Sequence, residues 1–200
     1  SENAFASRSV RYAIADELDR IPDSKTEGRP ADLLRQRCQN YWNRKLILSS
    51  TCTIAGQSEI EAEYETSDQR RFYVPCLACG NMHVMAFENV DFDGEAEPET
   101  AREKARYRCP VCRHEHFDAD KPEILRGGEW RAERPGRAKV GFWWSALYSP
   151  WVTFGDLAYE WRQSKDDDAA YQVFVNCRLA KTWQVKVDAP TESAVASLID

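Results

Sequence analysis

Two cysteine pairs carry the most specific chemistry in this chain. Cys76-Leu77-Ala78-Cys79-Gly80 and Cys109-Pro110-Val111-Cys112-Arg113 each hold two thiols in C-x-x-C spacing. A tight turn at such a pair points both sulfurs at one metal, and two pairs complete a tetrahedral, all-cysteine site for Zn²⁺. All four positions are cysteine, which leaves no open coordination position, so the metal reads as structural. Gly80 suits the sharp turn after the first pair, and Arg113 suits the second less well. The pairs are separated by 29 residues, so the stretch between them must loop out. Redox C-x-x-C chemistry and an iron–sulfur centre use the same residues and stay open as alternatives. His83, His114 and His116 lie close by. The last two could replace a cysteine or support one from outside the ligand shell, although a surface position is the ordinary reading for all three.

A second constellation is acidic. Tyr12-Ala13-Ile14-Ala15-Asp16-Glu17 is an apolar run that ends in two carboxylates, the form of a Walker B segment. A strand of an open α/β sheet delivers its C-terminal end to the ligand crevice. There the first carboxylate, Asp16, can hold a Mg²⁺ that bridges nucleotide phosphates, and the second, Glu17, can orient and deprotonate water. A strand running into a polar turn looks the same in isolation. The next strand-like run, from Lys45, ends in Ser49-Ser50-Thr51. Short hydroxyls at a neighbouring strand tip can report whether a γ-phosphate is present, though turn chemistry alone also selects them. No G-x-x-x-x-G-K-[ST] loop occurs anywhere in the chain. The phosphate cradle is therefore expected to lie outside it, and the chain is expected to be inactive alone.

Elements must position these groups. Residues 10–15 read as a buried strand, 45–50 as a second strand and the aromatic run 139–145 (KVGFWWS) as a third. A helix is expected from Ala31 to Tyr41 with Pro30 or Ala31 in its first turn. Another runs from Ser58, which has Glu61 at the capping-box spacing. Short strands at 72–74 and 105–108 precede the two cysteine pairs. Glu88 to Glu99 holds six acids and no base, as a solvated loop does. Thr153 caps a helix to about Ser164, and Asp166 to Asp168 lead another to about Leu179. The expected fold class is α/β: a partial parallel ATPase-type sheet, an inserted zinc ribbon and C-terminal helices. The expected division is 1–70 for the sheet part, 71–118 for the ribbon, 119–185 for the last strand and helices, and 186–200 for a flexible tail.

Composition sets the outer bounds. The 200 residues carry 27 Lys and Arg against 33 Asp and Glu, a net charge of −6, which excludes nucleic-acid binding by bulk charge but not by a local face. Arg102, Lys104, Arg106, Arg108 and Arg113 are the candidate phosphate-contacting set. Trp143, Trp144, Tyr148 and Trp151 could stack on bases, but alternation along a strand turns one of Trp143 and Trp144 inward. Arg35 and Arg37 could face a nucleotide or a neighbouring subunit. Cys38, Cys52 and Cys177 read as small buried residues, and seven cysteines without an export signal favour metal over disulfides. No apolar run approaches the ~20 residues of a membrane helix.

The order of the motifs resembles the middle portion of the large terminase subunit of tailed phages, of the lambda-like class. The resemblance runs from ASRSVRYAIADELDRIP, through the LILSST segment and the CxxCG and CPxC pairs, to GFWWSALYSPW and FVNCRLAKTW, covering residues 6–183. It departs at Ser-Thr-Cys, where the family has a Ser-Thr-Pro-like sequence, and at Ala180, where glycine is usual. It implies an ATP-driven motor that packages DNA and a nuclease that cuts concatemers. Asp16 would be the Mg²⁺ ligand, Glu17 the catalytic carboxylate, and Ser49, Ser50 and Thr51 the coupling motif. Mg²⁺ and ATP would bind only the intact protein. Double-stranded DNA, the small terminase subunit and the portal or procapsid are the implied partners, with possible self-association and no membrane, in the bacterial host cytoplasm. The chain would be a fragment without the phosphate loop or the nuclease acids. Two rivals remain: a zinc-ribbon binding module without catalytic activity, and another ATPase such as a helicase, whose further motifs are not found.

Overall fold

The computed structural model of the chain describes residues 9–23 and 28–185, so the expected tail at 186–200 lies outside the described residues. Two hydrophobic cores organise what is described. The smaller holds β1 (Tyr12–Ala15), α1 (Pro30–Cys38) and β2 (Lys45–Leu48). The two strands pair in parallel, with Ala13 opposite Leu46 and Ala15 opposite Leu48. Alternation along β1 buries Ala13 and Ala15 against Leu18, Ala31, Leu34 and Cys38. It leaves Tyr12 and Ile14 exposed, so β1 is half-buried rather than the buried strand expected. α1 starts with Pro30 in its first turn, where a missing N–H costs nothing. Its Ala31 N–H donates to Glu59 Oε1 of α2 (Glu59–Glu65), 3.2 Å away. Ser58 caps α2 by accepting from the Glu61 N–H at 3.2 Å.

The larger core is built on two antiparallel sheets. One has the order β4–β3–β8 (Met82–Val84, Arg70–Pro75, Glu129–Ala132), the other β5–β6–β7 (Val90–Asp91, Arg106–Arg108, Glu115–His116). Helices α3 (Pro98–Lys104), α4 (Lys121–Arg126), α5 (Phe154–Ser164) and α6 (Asp168–Val173) pack around them, and a π-turn over Phe174–Arg178 continues α6. Val74, Met85, Tyr107, Ile124, Tyr148, Phe154, Leu157 and Phe174 fill the space between. Phe154 and Leu157 are fully buried, each contributing about 1.5–3 kcal/mol. Thr153 opens α5 with a reciprocal cap: its Oγ1 accepts from the Asp156 N–H at 2.8 Å, and Asp156 Oδ2 accepts from the Thr153 N–H at 3.1 Å.

Two expectations change here. The run 139–145 does not join the parallel sheet. It lies along β3, where Asp68 N–H bonds to Lys139 O, Arg70 N–H to Gly141 O and Trp143 N–H to Arg70 O, with a single bridge from Arg70 to Phe142. The described parallel sheet therefore has two strands. Trp143 turns inward, bonding Ala180 O through Nε1 at 2.7 Å, while Trp144 stays half-exposed. The acidic stretch 88–99 is also not one loop: Val90 is buried in β5, and Pro98 starts α3. Its apolar residues Val90 and Phe92 pack into the larger core and carry the acids with them.

The cores are joined by polar contacts. Glu63 of α2 pairs with Arg35 of α1, and with Lys139 at 2.6 Å. Burial raises the Glu63 carboxyl, but hydrogen bonds from Arg35 and Lys139 outweigh it and hold the group below the usual carboxylate range. Arg35 is thereby committed to the fold.

Candidate metal centre and acidic strand tip

Each cysteine pair sits in the turn of a hairpin. Cys76 and Cys79 lie between β3 and β4, Cys109 and Cys112 between β6 and β7. The two turns have the same backbone wiring. Cys76 N–H bonds to Asn81 O and Gly80 N–H to Cys76 O; Cys109 N–H bonds to His114 O and Arg113 N–H to Cys109 O. Gly80 and Arg113, equivalent in the two turns, both have positive φ, at 71° and 63°. Glycine adopts that backbone freely and arginine does not, so the poorer fit of Arg113 has a structural cause.

The hairpins bring four sulfurs together, all within 4.8 Å of one another. Cys76 Sγ is 3.7 Å from Cys112 Sγ, and Cys79 Sγ is 3.9 Å from Cys109 Sγ. A tetrahedral site with metal–sulfur bonds of about 2.3 Å needs sulfur–sulfur edges of about 3.8 Å. Two of the six edges have that length, and the four cysteines could thus hold a metal ion. Burial raises the Cys109 thiol, but the Cys112 and Val111 amides outweigh it and draw it down to about 7, whereas burial prevails at Cys76 and pushes that thiol up. Thiolate is the form that binds metal.

The histidines correct the surface reading in two of three cases. His116 is almost fully buried, and its Nε2 lies 3.3 Å from Cys76 Sγ. His83 is buried beside Tyr107, ring on ring at 5.7 Å, with Nδ1 3.2 Å from Asn81 O. Burial pushes both imidazoles below their ordinary pKa. A neutral His116 can donate to a thiolate, the supporting contact allowed from spacing alone. His114 stays exposed.

The acidic pair sits where β1 ends. Ser49 Oγ donates to Asp16 Oδ1 at 2.8 Å, joining the tips of the two parallel strands. Leu18 N–H bonds to Ser49 O and Ser49 N–H to Ala15 O, which fixes their register. Ser50 Oγ accepts from Asp19 N–H at 3.1 Å. Glu17 follows with φ 54° and ψ 46°, a left-handed backbone that costs about 1–3 kcal/mol outside glycine and clusters at functional sites. Both carboxylates are exposed. Arg20 lies 3.9 Å from Glu17, but both side chains are more than half exposed, so the pair contributes little and leaves the carboxylate available. A cluster of carboxylate and hydroxyl oxygens is the donor set that a hard cation such as Mg²⁺ takes.

The proposed phosphate-contacting arginines are mostly occupied. Arg102 is bound to Asp156 at 2.5 Å. Arg106 meets Asp91 at 3.3 Å and Glu115 at 3.0 Å, and Arg108 meets both at 3.0 Å. Asp91 and Glu115 of the same small sheet and Asp156 of α5 thus neutralise these arginines, while Lys104 and Arg113 remain exposed. Of the remaining cysteines, Cys38 is buried as expected, Cys52 is half-buried and Cys177 is exposed. Asp19, Thr53, Asn176 and Trp183 connect the acidic tip to the C-terminal helices. Asn176 and Trp183 stand in the FVNCRLAKTW segment, which gives them no role, and only long-range pairing reveals Asp19 and Thr53.

Among the described residues, no helix is long and apolar enough to cross a membrane. Residues 1–130 match the family described as phage terminase large subunit gpA, ATPase domain, and residues 139–200 match terminase large subunit gpA, endonuclease domain. The second match takes in residues 139–185, expected above as part of the section with the last strand and helices. The large terminase subunit of Enterobacteria phage P21 is 28% identical over 209 residues, covering 92% of this chain and 32% of that protein. The large terminase subunit of Escherichia phage lambda is 24% identical over 213 residues, covering 96% of this chain and 33% of that protein. The chain thus spans about a third of the length of these relatives. No solved structure matches it.

Proposed function

The chain belongs to the phage terminase large-subunit gpA family, and on that premise we propose that residues 9–55 form the acidic, phosphate-sensing half of an ATP site in a DNA-packaging motor. The observation that carries this reading is the Ser49–Asp16 contact, which joins a metal-ligand type of carboxylate to a sensing-type hydroxyl at adjacent parallel strand tips. Asp16 would hold Mg²⁺, and the exposed Glu17 would accept a proton from water. Ser49, Ser50 and Thr51 would meet the terminal phosphate. The metal, when bound, would neutralise charge developing on the phosphates. The other half of the site, a backbone cradle for the phosphates, has no counterpart among these 200 residues.

The four cysteines are assigned structural Zn²⁺. The support is the set of sulfur separations and the closed, all-thiol ligand set. In this reading zinc pins the two hairpins together, and with them the platform on which α5 packs. Double-stranded DNA, a small terminase subunit and a portal are the partners of the assembled motor, working in the host cytoplasm.

In a packaging-competent large subunit with this sequence, Glu17→Gln should retain ATP binding and abolish DNA translocation. Normal packaging by that variant would remove Glu17 from the role. The isolated chain should show no ATP turnover. Robust hydrolysis would contradict the missing-cradle argument. A second reading, a zinc-ribbon DNA-binding module, is disfavoured by the ion pairs that occupy Arg102, Arg106 and Arg108.

A further inference from the structure

We propose that residues 174–183 form a strained latch that clasps the segment after Ser49–Thr51 and couples the acidic strand tip to the C-terminal helices. The proposal rests on the phosphate-sensing reading of Ser49–Thr51 and adds to it the route by which that tip is felt elsewhere.

The route is a continuous set of polar contacts. Asp19 receives both ends of it. Its N–H donates to Ser50 Oγ at 3.1 Å, its Oδ2 accepts from Thr53 Oγ1 at 3.1 Å, and its Oδ1 accepts from Ile60 N–H at 2.8 Å. Thr53 O then accepts twice from the C-terminal segment, from Asn176 Nδ2 at 3.1 Å and from Trp183 N–H at 2.8 Å. Ala55 N–H returns a bond to Trp183 O at 2.9 Å, and Ile54 and Trp183 make a parallel bridge. Thr182 Oγ1 donates to Glu61 Oε1 at 2.6 Å. Asn176, Thr182 and Trp183 fall within the endonuclease-domain match, whereas Asp19 and Thr53 fall within the ATPase-domain match.

The receiving end is unrelaxed in three separate ways. Phe174–Arg178 is a π-turn, a geometry that recurs at functional sites. Asn176 is 8% exposed, and its Oδ1 has no hydrogen-bond partner among the described residues, an omission that a settled core avoids. Ala180 has φ 52°, a left-handed backbone disfavoured for any residue with a Cβ. Its carbonyl is also held by Trp143 Nε1 at 2.7 Å. An element that holds such strain beside a sensing strand has a second arrangement within easy reach. Asn176 is therefore a positioning residue: it fixes the Thr53 carbonyl, and through Asp19 the hydroxyl-bearing tip.

Coupling is reciprocal, so it can be read from either end in this chain without nucleotide. The measurement is native-state amide exchange of the Asn176→Ala variant. Exchange at Leu18 and Ser49, whose bonds fix the tip, should quicken roughly three- to tenfold, together with Ala55 and Trp183, while Leu157 in α5 stays at its original rate. A change confined to Ala55 and Trp183 would reduce the contacts to a local staple and overturn the proposal. If Asn176→Ala loosens the whole fold, so that Leu157 also exchanges freely, Ala180→Gly decides. Relief of the left-handed backbone should slow Trp183, Leu18 and Ser49 together, and unchanged rates at Leu18 and Ser49 would overturn the proposal. None of these outcomes touches the ATP reading, which stands or falls on Glu17→Gln.

Discussion

Ser49 and Asp16, separated by 33 positions in the sequence, share a 2.8 Å hydrogen bond between the ends of two parallel strands. The bond ties the C-terminal ends of β1 and β2 together. It also orients Asp16 Oδ1, which accepts from Glu17 N–H at 3.0 Å as well. A carboxylate held by two donors before any cation arrives loses less freedom when one binds.

Zinc content is the first prediction. Freshly reduced protein should contain one Zn²⁺ per chain by elemental analysis, and Cys112→Ser should lower the occupancy and the melting temperature together. Metal binding is folding free energy for such a site, on the order of several kcal/mol. A metal-free protein with an unchanged melting temperature would exclude the assignment.

Arg113→Gly should stabilise the second hairpin. Its φ of 63° lies close to the 71° that glycine already takes at the equivalent Gly80. Relief of the left-handed cost, less glycine's extra entropy in the unfolded chain, leaves a gain of up to ~1 kcal/mol, or roughly 2–4 °C. A lower melting temperature would mean that the Arg113 side chain contributes more than its backbone costs.

Asp156 should make stability depend on acid. Hydrogen bonds from Arg102 hold its carboxyl down at about 2, and burial opposes them. The folded pKa lies below the unfolded one, so the contribution is present above about pH 4 and is lost as pH falls toward 2. Asp156→Asn should cost about 1 kcal/mol near neutrality, after allowance for the half-exposed arginine, and the difference from the parent should shrink steadily below pH 4. Denaturant midpoints across that range check it. A gap that stays constant down to pH 2 would show that the helix cap, not the charge, sets the cost.

What the sequence made legible was local or periodic. The apolar run of β1, the proline at the start of α1, the Ser58 and Thr153 caps and the two C-x-x-C turns are all short-range signals, and each marks an element that forms there, although β1 buries one face only and α1 stops at Cys38, short of Tyr41. Misplaced features depended on distant partners. The aromatic run 139–145 has strand-like residues, but nothing in it says that β3 rather than β2 is its neighbour. His116 stands in a polar stretch, and only the approach of the first hairpin buries it against Cys76. Arg106 and Arg108 of β6 read as a basic face because Asp91, one of their counter-ions, enters from β5. Ala180 carried a faint signal. It departs from the glycine usual in resembling proteins, and its positive φ supplies the reason.

The proposed cation site of Asp16 and Ser49 at the paired strand tips can be probed by titrating this chain with Mn²⁺, a paramagnetic stand-in for Mg²⁺, while amide resonances are followed. Selective broadening is expected at Glu17, Leu18, Ser49 and Ser50, and it should disappear in Asp16→Asn. Broadening centred on the acidic stretch 88–99 instead, or unchanged at the strand tips in that variant, would rule the site out.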